Sequence, residues 1–220
     1  FVYEWVREKF LGRIQALLSD ELGFSVQIDL RKSSRERPPL DPATSIVGPV
    51  ASPETPGRFR PIEKYRFETF IAGQSNRLAL AGAKAVAAAP GEKYNPLFIY
   101  GPSGLGKTHL LHAIARKILE RDPQFSLVYV SAQQFAEDFV HALQNNRIDQ
   151  FRRAHRNVNV WLVDDVQFIA GKDRTQEEVF HTFNHLHQTG KQIVLCSARP
   201  PRELHLMEDR LRSRFESSLV

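Results

Sequence analysis

A stretch of eight residues near the middle of the chain, GPSGLGKT at 101–108, most narrows the folds that the chain can adopt. It follows the apolar run PLFIY (96–100) and precedes THLLHAIARKIL (108–119), which has helical spacing. In the pattern G-x-x-x-x-G-K-[ST], glycines let backbone N–H groups curl around phosphate oxygens, and the following helix N-terminus adds partial positive charge. The sequence therefore predicts a strand, a phosphate-binding loop and a helix in succession.

The loop supplies the first set of predicted nucleotide-binding residues. Lys107 is expected to reach the β- and γ-phosphates, and the hydroxyl of Thr108 to enter the shell of a Mg²⁺ ion. The predicted nucleotide-binding residues of the loop are Gly101, Gly104, Gly106, Lys107 and Thr108.

Two acids end a later apolar run, VNVWLVDD at 158–165. The carboxyl ends of parallel strands share one edge of a sheet, so Asp164 and Asp165 are expected beside the loop. We expect Asp164 to coordinate Mg²⁺ through water and Asp165 to polarise the water that attacks the γ-phosphate. Two acids after a strand are also compatible with a simple helix N-cap.

Strand-like and helix-like segments alternate through the second half of the chain. This alternation predicts an α/β fold, a parallel sheet with helices on both faces. The predicted strands are 96–100, 127–131, 158–164 and 192–197, and the predicted helices are 76–89, 107–121, 132–144 and 175–187.

The chain divides into three parts by composition. Residues 1–31 combine an amphipathic helix with an alternating strand, which predicts the end of a small α/β domain; a helical extension packed on the main domain is the alternative. Residues 32–61 hold seven of the 13 prolines and no apolar period, which predicts a disordered linker. The predicted core spans 62–220.

Composition excludes several classes of protein. Lys and Arg total 30 against 25 Asp and Glu, a net charge of +5 that permits a nucleic-acid partner without requiring one. The one cysteine, Cys196, excludes an internal disulfide framework, favours a reducing compartment such as the cytoplasm, and is expected in the core. The sequence has no uncharged apolar run of about 18 residues and no signal-peptide core, so we expect no membrane span.

Several segments together resemble the DnaA family of bacterial chromosomal replication initiators, within the AAA+ class of ATPases. The resemblance covers 62–220, and the proline-rich stretch falls where that family has its variable linker. The chain begins at Phe1 and stops at Val220, so the resemblance predicts a fragment without the family's lid and C-terminal duplex-binding domain. The segments are FETFIAGQSNRLA (67–79), NPLFIYGPSGLGKTHLLHAI (95–114), LVDDVQFIAGKDRTQEEVFHTFNHL (162–186), SARPPREL (197–204) and EDRLRSRF (208–215).

The resemblance implies further site residues. ATP is the implied nucleotide, with Asn95 and the SNRLA segment (75–79) forming a wall around its base. Arg214 would reach the γ-phosphate bound by a neighbouring subunit, supported by Arg210 nearby. An arginine supplied in this way lets ATP drive self-assembly.

The resemblance also implies contacts with DNA. Val140, Lys172 and Arg174 fall where the family grips single-stranded DNA, and cations at 172 and 174 suit backbone phosphates. A solvated loop is the alternative for the two cations. The implied function is ATP-dependent initiation of chromosome replication, with oligomerisation at origin DNA and association with the cytoplasmic nucleoid. The N-terminal domain would contact the replicative helicase or regulators.

One residue departs from the family pattern. Where the family has Ser-Asp-Arg-Pro-Pro, this chain has Ala198 in place of the acid that senses the γ-phosphate. The resemblance therefore leaves the rate of ATP hydrolysis open. As part of the implied function, we expect ATP to act mainly as a switch that slow hydrolysis resets. The alternative functions are an AAA+ helicase loader or adaptor, a small-molecule kinase, and a module that binds ATP without hydrolysing it.

Overall fold

Four parallel strands form the centre of the described part of the chain. The computed structural model describes residues 59–217, so the expectations for residues 1–31 and for most of the linker lie outside the described part. The strands lie in the order β1-β4-β3-β2, and every neighbouring pair is parallel, as predicted. The strands are β1 (Leu97–Tyr100), β2 (Leu127–Ser131), β3 (Val160–Asp164) and β4 (Gln192–Ser197).

Within residues 59–217, six α-helices cover both faces of this sheet, which confirms the predicted architecture. Alternate residues of β4 show how the faces divide, because Ile193 and Leu195 pack in one apolar cluster while Val194 and Cys196 pack in the other. The helices are α1 (Arg77–Ala88), α2 (Lys107–Arg121), α3 (Ala132–Gln144), α4 (Ile148–Arg156), α5 (Asp173–Gln188) and α6 (Asp209–Glu216). Among residues 59–217, no helix has the length and apolar character to cross a membrane.

The sequence analysis missed the two shortest helices. Of the residues in α4 only Phe151 and His155 are buried, and in α6 only Leu211 and Phe215. Two apolar contacts do not make a detectable helical period, and short helices depend on tertiary packing for stability. In α6 this packing is visible, since Phe215 contacts the rings of Phe98 and Phe183 in the core.

The segment that precedes α1 packs on the core earlier than predicted. Phe59, assigned to the linker from the sequence, stacks on Tyr129 with ring centroids 5.0 Å apart and lies 5.2 Å from His112. Three residues later, the backbone N–H of Ile62 donates to Nδ1 of His112 over 3.2 Å. Within the described residues, aromatic packing on the core is therefore already present at Phe59, three residues before the predicted start of the core.

A histidine lies in the apolar layer between α4 and the sheet. His155 is buried, accepts a hydrogen bond at Nδ1 from the indole Nε1 of Trp161 over 3.4 Å, and packs against Phe135 and Phe151. Burial lowers the pKa of His155 to about 4, against a smaller upward effect of the charge on Glu178. The folded protein therefore holds this side chain neutral.

We predict that this histidine makes the protein less stable in mild acid. The unfolded chain takes up the proton near its ordinary value of about 6.5, whereas the folded chain resists protonation down to about pH 4. The free energy of unfolding should therefore fall by up to about 3 kcal/mol across that window. Urea unfolding of the wild type and of His155→Phe at several pH values measures the difference. His205→Phe, which replaces an exposed histidine, is the control and should keep the pH dependence of the wild type. If His155→Phe shows the same pH dependence as the wild type, the low pKa of His155 is not its cause.

Candidate nucleotide-binding site

The predicted phosphate loop joins β1 to α2 in the structure. Its first residue is tied to the neighbouring strand, because the N–H of Gly101 donates to the carbonyl of Ser197 over 3.1 Å. Gly104 and Gly106 have φ angles of +84° and +87°, in the left-handed region that side chains disfavour. Gly106 is the N-cap of α2, so the loop ends at a helix N-terminus as the motif requires.

Gly106 has a second reason to lack a side chain. A Cβ at this position would lie 2.8 Å from Cε2 of Phe70, whereas nothing lies within 4 Å of a Cβ at Gly104. Phe70 belongs to the segment that precedes α1. This segment therefore packs directly against the loop, and the tight contact helps to define the loop's conformation.

The lysine of the motif turns back over the loop. Its ammonium group Nζ donates to the carbonyls of Gly101 over 2.8 Å and Pro102 over 3.0 Å. These bonds hold the cation above the loop backbone, where a phosphate would be bound. Behind the loop Cys196 is fully buried, and burial raises the pKa of its thiol well above the ordinary value. The expectation of a core cysteine is confirmed.

Thr108 and Asp164 meet as predicted. The hydroxyl of Thr108 donates to Oδ2 of Asp164 over 2.6 Å, and the phenol of Tyr129 donates to the same oxygen over 3.2 Å. Burial raises the pKa of Asp164, and the hydrogen bond from Thr108 opposes that rise. A hydroxyl beside a carboxylate is the hard-oxygen donor set that Mg²⁺ prefers, so these residues fit the predicted ion.

Asp165 is held by a residue that the sequence analysis did not identify. The amide Nε2 of Gln167 donates to Oδ1 of Asp165 over 3.0 Å, and its Oε1 accepts from the backbone N–H of Ala198 over 3.1 Å. Asp165 itself has φ +54°, which is uncommon outside glycine. The sequence signal was a single amide two residues after the paired acids, which is too weak to recognise without coordinates.

The structure does not bring Asn95 to this site. Asn95 precedes β1, at the end of the strand opposite the loop, and its side chain donates to the carbonyl of Lys191 and accepts from the N–H of Ile193. These bonds join the amino ends of β1 and β4. Both polar atoms of the Asn95 side chain therefore bond within the sheet, on the side away from the phosphate loop.

The two arginines of α6 have different environments. Arg210 lies over the ring of Phe180, 4.5 Å from its centroid, and pairs with Glu208. Arg214 is exposed, and within residues 59–217 no ion pair or side-chain hydrogen bond engages it. Phe215 beside it is buried, so Arg214 projects outward from an anchored helix.

The three predicted DNA-contacting residues line one groove. Val140 comes from α3 and is 47% exposed, while Lys172 and Arg174 come from the beginning of α5. The groove has a volume of about 630 Å³, and Glu137 and His141 also line it. The first turn of α5 is held in place by Gln176, which bonds to the backbone of Leu206 and Glu208.

Residues 62–220 are similar in sequence and fold to known proteins. The family model described as the bacterial DnaA ATPase domain matches residues 62–220. Domain III of the Thermotoga maritima replication initiation protein DnaA is 45% identical, with a TM-score of 0.72 over 74% of this chain and 68% of that one. The replication initiator DnaA bound to AMPPCP and single-stranded DNA is 45% identical, with a TM-score of 0.69 over 72% of this chain.

Other similarities are partial in length or in sequence. The chain covers 49% of the DnaA chain solved with AMPPCP and single-stranded DNA, so it corresponds to about half of that protein. The DnaC helicase loader has a TM-score of 0.61 at 16% identity, over 71% of this chain and 96% of that one. At that identity the similarity shows a shared fold alone.

The two loop glycines allow a matched test of the contact with Phe70. Gly104→Ala should cost about 1 kcal/mol of stability, since only the backbone conformation is disfavoured. Gly106→Ala should cost about 1–3 kcal/mol more because its methyl group meets the ring of Phe70. Urea unfolding of both variants, alone and combined with Phe70→Ala, gives a double-mutant cycle. The Phe70→Ala background should remove the extra cost of Gly106→Ala; an unchanged difference contradicts the contact.

Proposed function

Because the chain belongs to the bacterial DnaA ATPase-domain family, we propose that it is the ATP-binding core of a replication initiator. In this proposal the ATP-bound form assembles on origin DNA, engages one strand to promote melting of the duplex, and is reset by slow hydrolysis. The observation that carries the proposal is the junction of Thr108, Asp164 and Asp165 at the end of β3, beside a complete phosphate loop.

The loop residues account for the binding of ATP. The N–H groups at the start of α2 would donate to phosphate oxygens, and Lys107 would exchange its bonds with the loop carbonyls for bonds to the β- and γ-phosphates. Thr108 and Asp164 would hold Mg²⁺, which when bound neutralises charge on the bridged phosphates. Asp165 would orient and polarise the attacking water.

Arg214 supports a proposal of assembly. Arg214 is exposed and has no side-chain partner among residues 59–217, so it is suited to stabilise the γ-phosphate bound by an adjacent copy of the chain. Arg210, held by Phe180 and Glu208, would keep the surface around α6 ordered. Because the arginine would sense the nucleotide of its neighbour, ATP and not ADP would favour the assembled state.

The groove between α3 and α5 supports a proposal of single-strand binding. Lys172 and Arg174 would neutralise phosphates, and the exposed side chain of Val140 would contact the sugar or base. The acidic Glu137 lies in the same groove, so a single strand must approach from the side of the two cations. A helicase loader or adaptor is the alternative function; the DnaC loader shares the fold, which by itself does not favour that function.

We predict that ATP favours binding of single-stranded DNA and that Arg174 is required for it. Fluorescence anisotropy of a labelled oligonucleotide, titrated with the full-length protein in ATP or ADP, measures both effects. Arg174→Ala should weaken binding about tenfold. It should also reduce the slope of log K against log salt concentration by about one, as expected for the loss of one phosphate contact. Arg153→Ala, an exposed arginine on α4 outside the groove, is the matched control and should bind normally. Equal binding in ATP and ADP would favour the helicase-loader alternative.

A mixing experiment tests the arginine supplied by a neighbour. Arg214→Ala should bind ATP but hydrolyse it about 10³-fold more slowly, and Asp165→Asn should also be inactive. Mixing the two full-length variants should restore hydrolysis. A subunit with Arg214→Ala still has Asp165 and can receive Arg214 from a neighbouring Asp165→Asn subunit. Activity that stays absent in the mixture at assembling concentrations contradicts the proposal. Arg212→Ala, on the same helix, serves as the control for loss of an arginine.

A further inference from the structure

The side chain of Gln167 connects the ends of two adjacent strands at the candidate catalytic edge. Asp165 follows β3 and Ala198 follows β4, and these strands are parallel neighbours. The two ends are joined by the hydrogen bonds that Gln167 makes, 3.0 Å to the Asp165 carboxylate and 3.1 Å from the Ala198 N–H. Neither the family resemblance nor the predicted site residues assign this side chain a role.

The chemistry of the two partners explains why the connecting residue is an amide. The ionised carboxylate of Asp165 can only accept a hydrogen bond, and the backbone N–H of Ala198 can only donate one. A carboxamide carries an NH₂ donor group and a carbonyl acceptor on the same rigid group, so it satisfies both partners at once. Glutamate lacks the donor when ionised, and methionine of similar length offers neither bond of useful strength.

The backbone conformation of Asp165 explains why its side chain needs the hydrogen bond from Gln167. Its φ of +54° places it in a sparsely populated region, and it begins the short 3-10 turn Val166–Ile169 without capping that turn through its own side chain. The carboxylate is half-exposed, so packing alone does not fix its direction. The Gln167 amide supplies the side-chain hydrogen bond that aims it.

We propose that Gln167 is a positioning residue for ATP hydrolysis. Gln167 orients the Asp165 carboxylate towards the attacking water. Through its hydrogen bond with Ala198, Gln167 also links this orientation to the end of β4. In this chain residue 198 carries only a methyl group, so its contribution to the site passes through its backbone N–H to Gln167. The proposal rests on the hydrolytic role proposed above for Asp165.

The first test separates catalysis from binding. In the full-length protein, Gln167→Met should lower kcat for ATP hydrolysis by about 10- to 100-fold, the order of loss that follows from a misdirected catalytic group. The Kd for ATP should stay within about twofold, because the side chain of Gln167 bonds to Asp165 and Ala198 and, among the described residues, makes no hydrogen bond to the phosphate loop. A Gln167→Met protein with wild-type kcat, or one that loses ATP affinity and kcat together, overturns the proposal.

A second variant gives a pH signature that a purely structural role does not produce. Gln167→Glu keeps the length and the acceptor but loses the donor while ionised, so its kcat should be low near about pH 8. A protonated carboxyl again offers one donor and one acceptor, so the ratio of variant to wild-type kcat should rise towards about pH 6. A ratio that is flat with pH overturns the proposal. The exposed Gln188→Glu is the control for the added charge.

A direct measurement of the contact does not depend on activity. In protein labelled with ¹⁵N-glutamine, the side-chain amide of Gln167, assigned by its loss in Gln167→Met, should show a hydrogen-bonded proton shift. Asp165→Ala should return that shift to the value of a solvated amide; an unchanged shift overturns the contact.

The failure of the positioning role and the failure of the proposed hydrolysis are distinguishable. A wild type that binds ATP without hydrolysing it would overturn the proposed hydrolysis. An active wild type together with a Gln167→Met variant of unchanged kcat overturns the positioning role alone.

Discussion

The hydrogen bond between Thr108 and Asp164 is the interaction on which the candidate site depends. It joins the first turn of α2 to the end of β3, residues 56 positions apart, over 2.6 Å. Burial raises the pKa of Asp164 and so disfavours its charge, and the hydroxyls of Thr108 and Tyr129 partly offset that effect. Such a carboxylate is costly to bury without a cation. This cost supports the proposal that Thr108 and Asp164 hold Mg²⁺ beside the phosphates of ATP.

The apolar sheet is what brings those groups together. Every residue of β3 and of β4 is buried, so neither strand can shift along its neighbours without exposing core side chains. The register pairs Ser131 with Asp164 and Tyr100 with Ser197 at the carboxyl edge. Because the strands are parallel, the polar residues that follow them meet along this edge. The same geometry explains why Asn95, at the opposite end of β1, serves the sheet and not the loop.

Particular residues show what the sequence could and could not predict. The strand and the helix around the loop were predictable because long apolar runs and the glycine–lysine motif act locally, and β2, β4, α2 and α3 were placed to the residue. Helix α4 was not predictable from the sequence, because its stability comes from long-range contacts: Arg152 and Arg156 both pair with the buried Glu178 of α5. Gln167 was missed for the same reason, since its partner Ala198 is 31 residues away.

The two halves of the proposed ATP cycle depend on different parts of this site. Binding rests on the loop backbone, Lys107 and Thr108, which are held by strand ends and by the aromatic contact of Phe70 with Gly106. Hydrolysis rests on Asp165, whose direction is set by one amide. A site that has many contacts for binding and few for catalysis binds its nucleotide tightly but hydrolyses it slowly. This asymmetry supports the proposed slow, switch-like ATPase, because the ATP-bound state persists until the slow chemical step ends it.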